Sequence, residues 1–252
     1  MKLSISKIGQ YEKCAYSFYL SYIRKEKIDK LPKQLEEGTE KHKIFEVVID
    51  KAKALVLQEN ISKSQAIQEA IKQTKNFEKY KDDCNNFVNL SLDIEKQGGD
   101  PFPEHKEIQL YDKDLNLGGI IDRVDIEGEN VLILDYKTGK EHPISDYYFQ
   151  LAIYAYIYEK NFKKKVTHWG IFFSKAGLLL KEPININEIE LAVAKVHYVR
   201  ELIDNSIKNE DFPKQPSALC NWCVWKQSNK CDGKNTPPMI PVVIDNDTKK
   251  YV

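Results

Sequence analysis

In the segment VLILDYKTGK an apolar run over residues 131–134 ends in Asp135 and Lys137. Side chains along a strand alternate between faces, so these two point the same way at the end of a strand whose approach is apolar on both faces. An earlier segment, GGIIDRVD, supplies Asp122. The intervening EGEN suits a two-residue hairpin loop at Gly128 and Glu129, with glycine at the first central position of a type II′ turn. That register sets Asp122 opposite Asp135, with Cβ atoms about 5 Å apart, where like charges destabilise a sheet. A bound divalent cation resolves the conflict, because hard cations such as magnesium take carboxylate and carbonyl oxygens, and Lys137 adds an ammonium nearby. The simpler alternative, a network in which Lys137 neutralises two surface carboxylates, leaves the apolar approach to Asp135 unaccounted for.

A second hairpin centred on Lys113 and Asp114 would set Glu107 opposite Ile120 on the same sheet face, as a third carboxylate or as the partner of a lysine. Gln150 and Tyr154 are four residues apart and share one helical face, where packing beside Tyr147 and Tyr158 is the commonplace reading. His42 lies in EEGTEKHKIFEVVID with Phe45 and Ile49 on its face, the setting of a packed histidine. The segment CNWCVWKQSNKC supplies Cys220, Cys223 and Cys231. Three thiolates want a fourth to close a tetrahedral or cuboidal site, and Cys14 is the candidate. Zinc and buried free thiols are the alternatives to an iron–sulfur cluster there. Cys84 reads as a core cysteine, and Trp222 and Trp225 as packing around the cysteine site.

The elements that must position these residues follow from periodicity and turn signals. Ser6 caps a short helix through Lys13, and residues 31–97 carry helical patterning closed by the loop QGGDPFPEH. Strands are expected at 106–112, 117–126 and 131–137, then a helix near 145–160, strands at 166–173 and 178–182, and a helix at 187–208. Across 252 residues, 38 basic side chains balance 38 acidic ones, which excludes a uniformly basic coat and makes any polyanion site local. Residues 1–33 hold eight basic residues against three acidic, a candidate patch or a solvated face. Only Arg24, Arg123 and Arg200 are arginine, so phosphate tracking is favoured over base-edge readout. With no apolar stretch of signal or membrane length, the expectation is a cytoplasmic protein without a membrane role, whose cysteines are thiols or metal ligands.

Taken together, GGIIDRVD, LILDYKTGK and QLAIY resemble the PD-(D/E)XK nuclease superfamily, in its RecB-like and Cas4-like exonuclease branch, over residues 1–232. The resemblance implies an α/β restriction-endonuclease-like core with a mixed central sheet flanked by helices, plus a helical subdomain. It implies that Asp122 and Asp135 are acidic metal ligands, that Lys137 is the catalytic lysine, and that Gln150 and Tyr154 complete the active site. Glu107 stands where the branch often has an additional acidic residue. Gly38 and His42 match its G-x-x-x-H helix motif, so the resemblance implies that His42 is a metal ligand. One or two magnesium or manganese ions would then be held by His42, Asp122, Asp135 and the carbonyl of Tyr136. The segment around Cys14 is similar to the branch's N-terminal segment, which joins one cysteine to three C-terminal ones around a 4Fe-4S cluster. Here Ala15 replaces the usual proline and the gap before Cys231 is long.

The organisation expected is an N-terminal segment 1–30 giving Cys14, a helical subdomain 31–103 with His42, a nuclease core 104–212, a cysteine module 213–233 and a tail 234–252. The expected activity is metal-dependent hydrolysis of DNA phosphodiesters by an exonuclease on single-stranded ends, in repair, recombination, phage DNA processing or CRISPR adaptation. A protein partner in a DNA-processing complex is compatible with this. The alternatives are a non-catalytic DNA-binding subunit and a structure-specific endonuclease. Tyr11, Tyr16, Phe18, Tyr19 and Tyr22, interleaved with basic residues, could stack unpaired bases or pack as core.

Overall fold

The structure, a computed structural model, describes residues 1–28 and 33–234. Its elements are β1 (Leu3–Ser4), α1 (Ile5–Lys13), α2 (Ala15–Phe18), α3 (Lys33–Glu59), α4 (Lys63–Lys72), α5 (Lys81–Lys96), β2 (His105–Asp112), β3 (Leu117–Glu127), β4 (Asn130–Lys137), α6 (Tyr148–Phe162), β5 (His168–Phe173), β6 (Leu178–Pro183), α7 (Ile186–Asn209) and α8 (Val224–Gln227). Two compact units result, one from Met1–Ile8 with Leu31–Arg200, the other from Gly9–Lys30 with Glu201–Val252. The expected proline-broken tail lies, beyond Lys234, outside the described residues.

The first unit is a mixed α/β layer structure. β3 pairs antiparallel with β2 and β4 and parallel with β1; β4 runs parallel to β5, and β5 antiparallel to β6. Leu117 pairs with both β1 and β2, while Arg123 pairs with both β2 and β4. β1 and β4 must therefore share one edge of β3, β1 at its start and β4 at its end. Between them, residues 119–122 have no partner on that edge, and Asp122 stands at the break.

The β3–β4 register is the expected one, with Glu127 facing Asn130 and Arg123 facing Leu134. Gly128 takes φ +58°, as a II′ turn requires. The β2–β3 register is corrected. The loop is the four residues 113–116, closed by Leu115 N–H on Asp112 Oδ1 and by left-handed Asn116, so Gln109 rather than Glu107 faces Ile120. Glu107 is thereby carried two residues along β3, level with Asp122. Ser4, not Ser6, caps α1: its Oγ accepts the Lys7 N–H at 3.3 Å. The helix expected from 145 opens with a 3-10 turn at Ile144–Tyr147, behind Pro143, before α6 begins.

On one face of the sheet, α3, α4 and α5 build a core of Phe45, Val48, Ile67, Ile71 and Phe87, into which the sheet sends Tyr136 and Phe172. Phe45 and Phe87 stack at 4.4 Å, and Tyr136 meets both edge-on. Each ring buried this way contributes roughly 2–3 kcal/mol, and each such pair about 1 kcal/mol more. α6 packs against β2, β3 and β4 with Leu151, Ala152, Ile153, Ala155 and Ile157 buried. Because strand side chains alternate, Tyr136 faces α3–α5 while Asp135 and Lys137 reach Gln150 on α6.

In the second unit, Tyr16 N–H donates to Pro213 O, Ala15 N–H to Gln215 Oε1, and Tyr19 stacks on Phe212 at 4.8 Å. Segments far apart in sequence are thus laid together. Tyr11 and Phe18 are buried and packed on each other at 5.4 Å, which corrects the option that they stack bases. Trp225 is buried as expected, whereas Trp222 is 70% exposed. Cys84, in the first unit, is fully buried, and burial pushes its thiol pKa up to about 11.

Candidate active site

Asp122 is buried at the break on β3, and its Oδ2 accepts the backbone N–H of Tyr136 at 2.6 Å. It therefore substitutes for the missing ladder bond while keeping Oδ1 free to point elsewhere. Oδ1 lies 3.4 Å from His42 Nδ1, and Glu107 Oε1 lies 3.7 Å from the same nitrogen. Glu107 has φ +46°, a left-handed conformation that costs a non-glycine residue on the order of 1 kcal/mol or more. Its place in the β2–β3 ladder is skipped.

His42 Nε2 sits 3.0 Å from the carbonyl of Tyr136 and must carry the proton of that bond. Its Nδ1 faces two carboxylates, an arrangement favourable only for a second N–H or with a cation between them. Burial works to lower the His42 pKa, but hydrogen bonds to Asp122 and Glu107 and the charges of Asp122 and Asp135 outweigh it and raise it to about 10. In the metal-free protein the imidazolium therefore supplies the positive charge that the carboxylates need. His42 reaches the site because α3 passes close to the end of β4; a Cβ at Gly38 would lie 3.4 Å from Thr138 Oγ1.

Asp135 is 3% exposed. Its Oδ1 accepts Gln150 Nε2 at 2.6 Å, and its Oδ2 lies 2.7 Å from Lys137 Nζ. That oxygen is buried, and the Lys137 ammonium is the positive group beside it. Burial first, and the Asp122 charge second, push the Asp135 pKa up, against Lys137 and His42. Gln150 is the hinge of the cluster: its Oε1 accepts Lys137 Nζ at 2.9 Å, and Tyr154 Oη is 2.9 Å from its Nε2. Tyr154 can approach β3 because Gly119 lacks a side chain; a Cβ there would fall 3.0 Å from the ring.

The expected residues are thus brought together in one place. Among the described residues, His42, Glu107 and Asp122 form the single group of three whose ligand atoms lie within 4.8 Å of one another. A hard cation suits these donors, since two carboxylates and an imidazole already converge on one point. Asp135 stands next to this trio, engaged with Gln150 and Lys137, and the Tyr136 carbonyl is engaged with His42. A groove of about 530 Å³ opens beside Gln150 and Tyr154, along the unpaired edge of β3, with Lys2, Ser4, Lys7 and Gln109 in its walls.

The cysteines 14, 220, 223 and 231 are free, partly exposed and all in the second unit. Cys220 Sγ accepts the Ser217 N–H and Cys231 Sγ the Gly233 N–H, each at 3.4 Å. Among the described residues no three cysteine sulfurs gather within 4.8 Å.

A model of the PD-(D/E)XK nuclease superfamily matches residues 2–228. A component of the ATP-dependent helicase/deoxyribonuclease of Streptococcus uberis is 28% identical over 156 residues, 56% of this chain and 14% of that protein. A crystal structure of a candidate exonuclease from Eubacterium rectale shares the fold with a TM-score of 0.50 at 14% identity, over 88% of this chain and 86% of that one. Among the described residues no helix is long and apolar enough to cross a membrane. With nine-tenths of its length matched, this chain belongs to the PD-(D/E)XK nuclease superfamily.

Proposed function

We propose that the chain is a magnesium- or manganese-dependent deoxyribonuclease that degrades single-stranded DNA from an end. The observation that carries this reading is the convergence of His42, Glu107 and Asp122 beside the Asp135–Lys137–Gln150 cluster. A divalent ion held by His42, Glu107, Asp122 and Asp135 would supply Lewis-acid activation of water and charge stabilisation at phosphorus. Lys137, fixed between Asp135 and Gln150, is placed to orient a water or to offset charge on the phosphate oxygens. Gln150 holds both partners in place, and Tyr154 holds Gln150. With such an ion held there, His42 would be neutral at Nδ1, its proton released to solvent, and the charge that the imidazolium supplies would be replaced by the ion's.

The groove beside Gln150 offers a path for one strand, with lysines and hydroxyls for phosphates. Scarce arginine supports backbone contacts in place of base readout. The name of the Streptococcus uberis relative favours work inside a larger DNA-processing complex. For the second unit we favour a 4Fe-4S cluster on Cys14, Cys220, Cys223 and Cys231. A cube spaces its thiolates more widely than one zinc ion does, and backbone N–H donors already face two of the sulfurs.

The deciding experiment compares linear and circular single-stranded DNA of one sequence with manganese, magnesium or chelator. Linear strands should be reduced to short products in a metal-dependent reaction that weakens as salt rises. Equal cutting of the circle would replace the exonuclease by an endonuclease. Binding without cleavage in either metal would leave a non-catalytic DNA-binding subunit.

A further inference from the structure

Lys41 and Asp83 are buried charges that the chemistry above does not use. Lys41 Nζ lies 2.8 Å from Asp83 Oδ2, with the side chains 10% and 7% exposed. The ammonium also sits 5.2 Å from the centroid of the Tyr80 ring. Asp83 Oδ1 accepts the hydroxyl of Ser174 at 2.5 Å, and Ser174 is fully buried. The backbone N–H of Ser174 in turn donates to the carbonyl of Lys137 at 2.9 Å. One helical turn beyond Asp83, Asn86 donates to the carbonyls of Ser174 and Lys175 at 2.9 and 3.2 Å. α5 thus grips the turn after β5 at two points.

The two ends of this chain of contacts are informative. Lys41 immediately precedes His42 on α3, and Ser174 is bonded to the residue that carries the catalytic ammonium. Stability alone is a poor reason for such a pair, because desolvating two charges costs several kcal/mol and a well-packed apolar replacement is often as stable. Apolar packing is also non-directional, so Phe45, Val48 and Ile49 hold α3 to the sheet without fixing its position along it. A donor set for a metal ion needs its members placed to roughly half an ångström. Hydrogen bonds and an ion pair of defined length provide that placement.

We propose that Lys41, Asp83 and Ser174 are positioning residues: they hold α3 and the end of β4 in the one arrangement that brings His42 to Asp122 and Glu107, and thereby set the affinity for the cation. This rests on the metal-site reading above. The test measures Mn²⁺ affinity by titration of the metal-free protein, with thermal unfolding measured in parallel. Ser174→Ala removes the hydroxyl that joins Asp83 to the turn after β5 and that also lies 3.5 Å from the Lys137 carbonyl, while leaving the backbone bond to that carbonyl in place, and should weaken Mn²⁺ binding about threefold. The triple variant Lys41→Met/Asp83→Leu/Ser174→Ala replaces the whole chain by apolar groups. It should unfold at or above the parent's temperature yet bind Mn²⁺ at least about tenfold more weakly, as losses of outer supports do. In cleavage assays at limiting Mn²⁺, kcat should fall with KM for DNA unchanged. In a His42→Ala background neither set of changes should weaken Mn²⁺ binding further, an outcome that a purely structural role would not produce. If the triple variant does not fold, Ser174→Ala decides alone. Equal Mn²⁺ affinity in the parent and Ser174→Ala overturns this inference by itself, whereas a parent that binds no Mn²⁺ overturns the metal reading and this inference with it.

Discussion

The acidic site of the first unit and the four cysteines of the second both draw on distant parts of the sequence, but among the described residues only the first brings its ligand atoms within 4.8 Å of one another. Around Asp122 and Asp135 the neighbouring elements are tied by buried or part-buried bonds: Tyr136 N–H on Asp122, Gln150 on Asp135, and His42 on the Tyr136 carbonyl. The cysteines sit on short turns, partly exposed, with at most one backbone donor to a sulfur. A site meant to place a nucleophile must be stiff before its cofactor arrives. A covalent cluster can impose geometry on loose ligands, because binding energy and ordering are gained in the same event. The comparison predicts catalytic loss from changes in the first region and loss of stability from changes in the second.

The largest effect should come from breaking the stiff site. Asp135→Ala or Lys137→Ala should lower kcat at least about a hundredfold, close to 3 kcal/mol of transition-state stabilisation. Single-turnover cleavage of a labelled strand reads this directly. A rate near the parent's in either variant would remove both residues from the mechanism.

Next in size is Cys14→Ser, which strikes the other region. Protein prepared without oxygen should be brown and hold iron and acid-labile sulfide, and the variant should lose both. Its unfolding temperature should drop by several degrees, as each kcal/mol is worth about 2–4 °C in a chain of this size. Mn²⁺ affinity at the acidic site should stay within about twofold, because no ligand of that site has been touched. Stoichiometric zinc without sulfide would exchange the cluster for a single ion and leave the four ligands standing. Normal metal content in Cys14→Ser would reject the ligand set.

How much of this is readable from sequence differs along the same lines. The β3–β4 register is legible because Gly128 permits one tight turn, although the ladder stops at Arg123 and Leu134, one pair short of Asp122 and Asp135. Glu107 is expected on the correct face but two residues away, because the loop at 113–116 closes through an aspartate side chain and a left-handed asparagine that mimic no simple hairpin signal. A similar local ambiguity moves the α1 cap from Ser6 to Ser4, as both serines precede apolar helix positions. The Lys41–Asp83–Ser174 chain is invisible: its members lie 42 and 91 residues apart, and nothing in their local sequence distinguishes them from surface residues. Periodicity reports which face is buried, whereas long-range polar pairs depend on how the layers stack.

The smallest effect sharpens the comparison through pH. In the metal-free protein the His42 pKa is raised from an ordinary 6.5 to about 10, against its burial, mainly by Asp122 and Glu107. A group that binds its proton more tightly when folded stabilises the fold fully below its unfolded pKa, and that contribution is lost as pH climbs through the folded value. Chelated protein should therefore lose a few degrees of unfolding temperature between about pH 6.5 and 10, with the descent shallower in His42→Gln, where no proton is at stake. Added Mn²⁺ should flatten the parent's curve as well, since the ion takes over the role of the imidazolium and favours the neutral ring. Cys14→Ser should leave the slope of the pH dependence intact while lowering the whole curve. Equal slopes for the parent and His42→Gln would mean that another group holds the charge between Asp122 and Glu107, and that the acidic site is not poised by its own histidine.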